Sequence, residues 1–268
     1  MAMDRTAPTL KVAAEPAGAS VKSAARTIEL LELLAQADRP VTLAEIHRAL
    51  NYPKSSLHVL LRTLTACGWL QTDESATSYS IGVRALLAGT SYLEKDPVVQ
   101  LAAPVLTALR DELDETVHLA RLDRGDVVYL ASKESAHHLR TSSRIGRRLP
   151  AYTCALGKAL LAARTDAEVA GLVPDVMTPA TDHTITDLPT LLADLAETRV
   201  RGWSLEHEEN SVGLGCIAVT VPSRAVPRDA ISCSVPLARF SGDRQRHIAE
   251  TLARYTADLA ASLRIVQR

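Results

Sequence analysis

The chain has 268 residues, 47% apolar, 23% charged and 3% aromatic, a globular composition with length enough for two domains. Lys and Arg number 30 against 31 Asp and Glu, a formal net charge of -1, which excludes a globally basic nucleic-acid binder and leaves only a local basic surface to look for. The cysteines Cys67, Cys154, Cys216 and Cys233 form no CxxC pair, against a secreted disulfide scaffold; no run approaches the roughly 20 apolar residues of a membrane span, and no signal peptide is read near the start, so the expected location is the cytoplasm.

In chain order, residues 1–20 are rich in Ala, Pro, Gly and Thr and read as a disordered arm. Residues 23–35 carry Ile28, Leu31, Leu34 and Ala35 at helical spacing, ended by Asp38-Arg39-Pro40. Thr42-Leu43-Ala44-Glu45 is a capping box, and the helix it opens buries Leu43, Ile46 and Leu50. Pro53 suits the first turn of a third helix over 53–66, with Leu57, Leu60, Leu61 and Leu64 on one stripe and Gly68 closing it. A strand from Trp69 to Thr72, a polar turn over 73–78 and a return at Tyr79-Ser80-Ile81 make a hairpin. Three short helices and a hairpin are the layout of a winged helix-turn-helix.

Residues 83–113 are helical again, divided at Pro97, with Leu86, Leu87, Tyr92 and Leu93 before it and Val98, Leu101, Val105 and Leu109 after it. Two strands, 116–123 and 126–131, are joined at Asp123-Arg124-Gly125. Further strands are predicted at 138–144, 216–222 and 230–236, and helices at 157–164, 188–201 and 244–264, the last with Ile248, Leu252, Tyr255, Leu259 and Leu263 on one stripe. Strands mixed with helices give an α+β domain.

From Ile46 to Thr72 there is no acidic residue, which suits a surface that displaces counterions from DNA phosphates. At about 100° per residue, Ser55, His58, Val59 and Arg62 lie opposite the leucine stripe with Lys54 at the edge. This is the face that would enter a major groove, where Ser and Arg read base edges or hold phosphates and Val59 can meet a thymine methyl. A bundle helix with a solvated polar face shows the same pattern; the added hairpin favours the winged helix. The DNA-contact set is therefore Thr42, Lys54, Ser55, Ser56, His58, Val59 and Arg62.

Ser23-Ala24-Ala25-Arg26, Lys54-Ser55-Ser56-Leu57-His58 and Tyr79-Ser80-Ile81-Gly82 are followed by Gly146-Arg147-Arg148-Leu149-Pro150 and Gly157-Lys158-Ala159-Leu160-Leu161-Ala162. Glu208-Glu209 and Gly213-Leu214-Gly215-Cys216-Ile217-Ala218 complete the series. In that order and spacing the chain resembles the IclR-type transcriptional regulators over about residues 21–268. The resemblance implies a winged helix-turn-helix over 21–84, a linker helix over 85–96 and a GAF/PAS-like α+β effector domain with an antiparallel sheet over 97–268. It also implies double-stranded operator DNA, a homodimer or dimer of dimers, and a small organic effector, a carboxylate or an aromatic acid, with no membrane partner. The family usually has Arg where this chain has Val59, which points to an altered half-site, and small residues where it has Leu156, which narrows the pocket.

By parity, Cys216, Ala218 and Thr220 share one sheet face and Ile217, Val219 and Val221 the other, while Ser232 and Ser234 oppose Ile231, Cys233 and Val235. Matched position by position, the resemblance places the effector against His138, Thr141, Leu149, Ala155, Leu156, Glu206, Cys216, Ser232 and Ser234. The amides of Ala155 and Leu156 would hold a carboxylate at a helix start, and Glu206 would suit a hydroxyl or amine. A basic, acid-free run spans 135–165; a solvated loop or subunit contact accounts for it better than an anion entrance does. An alternative is a metal- or thiol-sensing regulator on the same scaffold, using Cys154, Cys216 and Cys233. No nucleophile elbow, Walker loop or dinucleotide glycine loop is present, so no catalytic residue, metal ligand or cofactor is assigned.

Overall fold

The computed structural model describes residues 21–142 and 144–266; the expected arm over 1–20 lies outside them. The chain divides into two compact units, through Tyr92 and from Leu93.

In the first unit, helix α1 (Lys22–Gln36), strand β1 (Val41–Thr42), helices α2 (Leu43–Leu50) and α3 (Lys54–Ala66) and strands β2 (Leu70–Thr72) and β3 (Ser78–Ile81) follow in order. Leu30, Leu33 and Leu34 of α1 meet Ile46, Leu50, Leu57, Leu61, Leu64 and Leu70 in one core. The stripe of α1 is rotated from the expected one: Ile28 and Ala35 are exposed, Leu31 is half-buried, and Leu30 and Leu33 take the inner face. A 15-residue helix with five apolar candidates has two plausible stripes, and only the packing of α2 and α3 chooses between them. The capping box is formed, with Glu45 N donating to Thr42 Oγ1 (3.3 Å) and Thr42 N to Glu45 Oε2 (2.8 Å). Pro53 stands one residue before α3 as its N-cap.

Gly68, at φ +74°, ends α3 in a Schellman motif: its N–H reaches Thr65 O and that of Trp69 reaches Leu64 O, both at 2.9 Å. The chain therefore reverses directly into the hairpin. Asp73 shapes the wing tip by accepting from the amides of Thr77 (2.8 Å) and Ser78 (3.0 Å), which holds its carboxyl below the usual range. The two residues of β1, too short to be read from the sequence, add a third strand to this sheet, in the order β1-β3-β2. Helix α4 (Val83–Lys95) crosses the division between the units and has no buried residue.

The second unit contains α5 (Pro97–Leu113), β4 (Thr116–Asp123), β5 (Asp126–Lys133), β6 (Arg148–Pro150), α6 (Ala155–Ala162), α7 (Asp166–Leu172), α8 (Leu188–Arg201), β7 (Ser204–His207), β8 (Leu214–Thr220), β9 (Asp229–Pro236) and α9 (Gly242–Val266). Six strands form one antiparallel sheet in the order β6-β5-β4-β9-β8-β7. One face carries Val117, Leu119, Leu130, Ile217, Val219, Ile231, Cys233 and Val235 against α5 and α9. The other carries Ala120, Leu122, Val127, Tyr129, Ala218 and Ala230 against α6, α7 and α8. This three-layer α+β unit follows the parity read for β8 and β9. Opposite Leu119 and Ala120 the β4–β5 register shifts, and the extra residue puts Leu130 and Ala131 both toward α5 and α9.

Three expectations are corrected. On α5 the buried positions are Val99, Ala102, Leu106, Leu109 and Leu113, while Val98, Leu101 and Val105 are half-buried at the flank. The strand expected at 138–144 is a loop over its described residues; side chains satisfy its polar groups locally, as where Arg140 Nε (2.9 Å) and Ser142 Oγ (2.8 Å) donate to Glu134. The strand at this edge is instead β6. Helix α6 starts two residues early, capped at Cys154. Missed altogether were β7 and α7, although α7 carries its own capping box, Thr165 with Glu168.

Candidate functional site

The turn between α2 and α3 sets the first site. Asn51, at φ +53°, ends α2, His47 Nδ1 bonds Tyr52 O at 2.7 Å, and the Tyr52 hydroxyl donates to Glu29 of α1 while Arg26 lies 4.8 Å from its ring centre. With Leu57, Leu61 and Leu64 buried, α3 turns Lys54, Ser55, Ser56, His58, Val59 and Arg62 to solvent. Val59 is 52% exposed, large for an apolar side chain in the middle of a helix. Ser56 Oγ donates back to Pro53 O (3.0 Å), and Thr42 is half-buried, its hydroxyl engaged in the cap.

The second site is a cavity on the α6 side of the large sheet, with about 380 Å³ of empty space including its open mouth. His118 (β4), Tyr129 (β5), Glu206 (β7), Leu214 and Cys216 (β8) and Ser234 (β9) line it, with Thr141, Arg147, Cys154, Asn210 and Ser211 from loops and the α6 cap. Of the residues matched to the pocket from the sequence, Thr141, Glu206, Cys216 and Ser234 meet here. His138 is exposed; Leu149, Ala155, Leu156 and Ser232 lie outside the lining, Ala155 and Leu156 packed into the core beneath it. His118 was not anticipated. Its parity with Ala120 was readable, but its place beside Ser232 depends on the β4–β9 register.

Electrostatics divide the cavity. Burial, with Arg147 nearby, lowers the His118 pKa to about 4, so its imidazole is neutral, bonded through Nδ1 to Ser132 Oγ at 3.0 Å. Its ring meets that of Tyr129 edge-on, centroids 5.3 Å apart. Burial pushes the Cys154 thiol up to about 12 and Cys216 well above its ordinary value; Cys216 Sγ donates to Ser234 Oγ at 3.2 Å. These are neutral thiols, poor nucleophiles and poor ligands. Cys233 lies in the core on the other sheet face, so the three thiols do not converge, and among the described residues no cluster of His, Cys, Asp and Glu is arranged to hold a metal.

Behind the cavity, the fully buried Lys158 donates to Glu209 Oε1 at 2.7 Å and lies 3.2 Å from Asp194 Oδ2. Glu206, 1% exposed, accepts the Asn210 amide at 3.0 Å. Burial raises the pKa of both Glu206 and Glu209, with Lys158 opposing. Thr184 Oγ1 donating to Glu209 O (2.6 Å) and Thr181 Oγ1 to Glu208 O (2.6 Å) fix the turn that carries these acids.

Residues 90–261 match the bacterial transcriptional regulator IclR C-terminal domain and residues 23–74 the IclR helix-turn-helix domain. The chain belongs to the IclR family. It is 33% identical to the transcriptional repressor IclR of Escherichia coli over 237 residues, 87% of this chain and 86% of that one. An IclR transcriptional regulator of Alicyclobacillus acidocaldarius shares the fold at a TM-score of 0.80 and 24% identity, over 91% of this chain and 99% of that one. An IclR homologue of Microbacterium hydrocarbonoxydans, complexed with 4-hydroxybenzoate, shares it at 0.73 and 24%, with the same coverage of each chain. IclR-family chains are DNA-binding transcription regulators with a ligand-binding C-terminal domain. In this one the winged helix-turn-helix leads through a linker helix into the GAF/PAS-like effector domain. No helix among the described residues is long and apolar enough to cross a membrane.

Proposed function

We propose that this IclR-family regulator binds a palindromic operator as a homodimer or dimer of dimers in the cytoplasm, and that a small organic acid in the sheet-face cavity changes its operator affinity. The reading takes residues 21–84 as the DNA-binding part, 85–96 as the linker and 97–268 as the effector part. The observation that carries it is the exposed, acid-free face of α3, on which Lys54 and Arg62 flank Ser55, His58 and Val59. Such a face suits a major groove: Arg62 and Lys54 supply phosphate or guanine contacts and Val59 a thymine-methyl contact. Ligand binding couples to DNA binding insofar as it favours one linker geometry over another. The 4-hydroxybenzoate of the Microbacterium homologue supports an organic acid as the effector class.

The test is fluorescence anisotropy of the full chain on DNA from upstream of its own coding sequence, across a salt series. Specific binding is expected, and Arg62→Ala should weaken it by about 1–3 kcal/mol and flatten the salt slope if the contact is to phosphate. Binding no tighter than to scrambled DNA, with and without candidate acids, would overturn the reading.

A further inference from the structure

The cavity wall holds a buried acid, Glu206, 1% exposed and with no ion pair of its own among the described residues. Lys158 makes its two ion pairs with Glu209 and Asp194; the oxygens of Glu206 are bonded to the Asn210 and Glu209 backbone and the Cys216 thiol, with Lys158 acting on that carboxyl only at longer range. A buried carboxylate without a cation is costly, and a partner that completes the pairing is correspondingly favoured. A ligand carboxylate brought there would add like charge. A hydroxyl would satisfy a lone pair and leave the charge; an ammonium would satisfy both.

The cation of the cavity comes from the opposite edge of the sheet. Arg147 precedes β6, its backbone carbonyl accepting from Tyr129 N at 2.9 Å, whereas Glu206 lies on β7 at the far edge. Arg147 and Glu206 are both close enough to act electrostatically on Tyr129, in opposite directions. Thr141 Oγ1 also lines the cavity, buried and without a hydrogen-bond partner among the described residues. A buried hydroxyl in that state calls for a polar neighbour. The lining sets the His118 and Tyr129 rings edge-on beside Thr, Ser, Asn, Glu and Arg side chains, with Leu214 and the thiols of Cys154 and Cys216 adding apolar surface.

We infer that the effector is a small amino acid in the broad sense, an amine-bearing carboxylate whose ammonium pairs with Glu206 and whose carboxylate faces Arg147. This rests on the sheet-face cavity being the effector site, as proposed above, and narrows the acid to a zwitterion.

The test uses isothermal titration calorimetry of the full chain with length-matched probes that differ only at the end remote from the carboxylate. These are 3-aminopropanoate, 3-hydroxypropanoate and malonate, then 4-aminobutyrate, 4-hydroxybutyrate and succinate, with 4-hydroxybenzoate as the aromatic arm. At least one amine probe should bind about tenfold or more tightly than its hydroxyl twin. Glu206→Gln should remove that preference, weakening the amine by about tenfold and changing the hydroxyl twin by no more than about twofold. Arg147→Ala, at an exposed position, should weaken amine and hydroxyl twins alike. Tighter binding of a hydroxyl, diacid or aromatic probe, or an amine preference that survives Glu206→Gln, overturns the inference and leaves the effector site standing. Absence of binding by every amine probe also overturns it; if, in addition, no probe alters operator affinity, the effector reading falls with it.

Discussion

His118 shows how one side chain ties the cavity to stability. Buried at 1% exposure and bonded to Ser132, it is neutral in the folded protein, with its pKa lowered to about 4, against about 6.5 in an unfolded chain. Between those values the unfolded state takes up a proton that the folded state refuses, so stability falls as pH drops from about 6.5 toward 4, by about 3 kcal/mol in all. Above pH 6.5 both states are neutral and the contribution is flat. His118→Gln keeps a hydrogen-bonding side chain without the titration. Denaturant midpoints at pH 7.5 and 4.5 should therefore differ less for the variant than for the native chain, and equal differences would mean that His118 is protonated in the fold. The exposed face of α3 was legible residue by residue, because burial on a helix follows a local angle. His118 was not, because its neutrality comes from strands distant in the chain.

At the scale of elements, the start of α6 is the tightest packing near the cavity. A Cβ on Gly157 would lie 2.0 Å from Ala151 O and 2.3 Å from Ala151 Cα, both rigid backbone atoms of the turn before α6. Only glycine lets the helix lie there, and the next residue then sends the Lys158 ammonium to Glu209 and Asp194. Gly157→Ala should destabilise the protein by about 1–3 kcal/mol or more, from overpacking that a gain in helix propensity of roughly 1 kcal/mol does not offset. The check is the denaturant midpoint, with the change in Lys158-dependent packing followed by near-ultraviolet circular dichroism; an unchanged or raised midpoint would show that the turn yields. The Gly-Lys pair stood out in the sequence through the family resemblance, and its reason lies in this contact. The capping boxes of α2 and α7 are equally short-range, yet only the first was recognised, since α7 lacks a long apolar stripe to accompany its cap.

For the molecule as a whole, the two units have separate cores, Leu30 to Leu70 in the first and the two faces of the six-stranded sheet in the second. All the strands, helices and side chains that build the cavity belong to the second. A fragment of residues 93–268 is therefore expected to unfold in one cooperative transition, with a stability within the usual range of about 5–15 kcal/mol for a domain. It should also keep the ligand affinities of the full chain. A non-cooperative melt of the fragment, followed by circular dichroism, would place part of its stability in the residues before Leu93.

Local pattern in the sequence determined the helices of both units apart from α7, the Thr42–Glu45 cap, the hairpin at Arg124-Gly125, the solvent face of α3 and the division of β8 and β9 into two faces. Each depends on a period of two or about 3.6 residues, or on a cap of three, and so is written within a few positions. Tertiary structure decided which of two stripes on α1 and α5 turns inward, which histidine enters the cavity, and which carboxylates share Lys158. Those outcomes depend on strand register and on charges brought together across the sheet. The winged helix was thus largely visible as pattern, while the cavity, and the opposed Glu206 and Arg147 that define its chemistry, exist only once six strands are aligned.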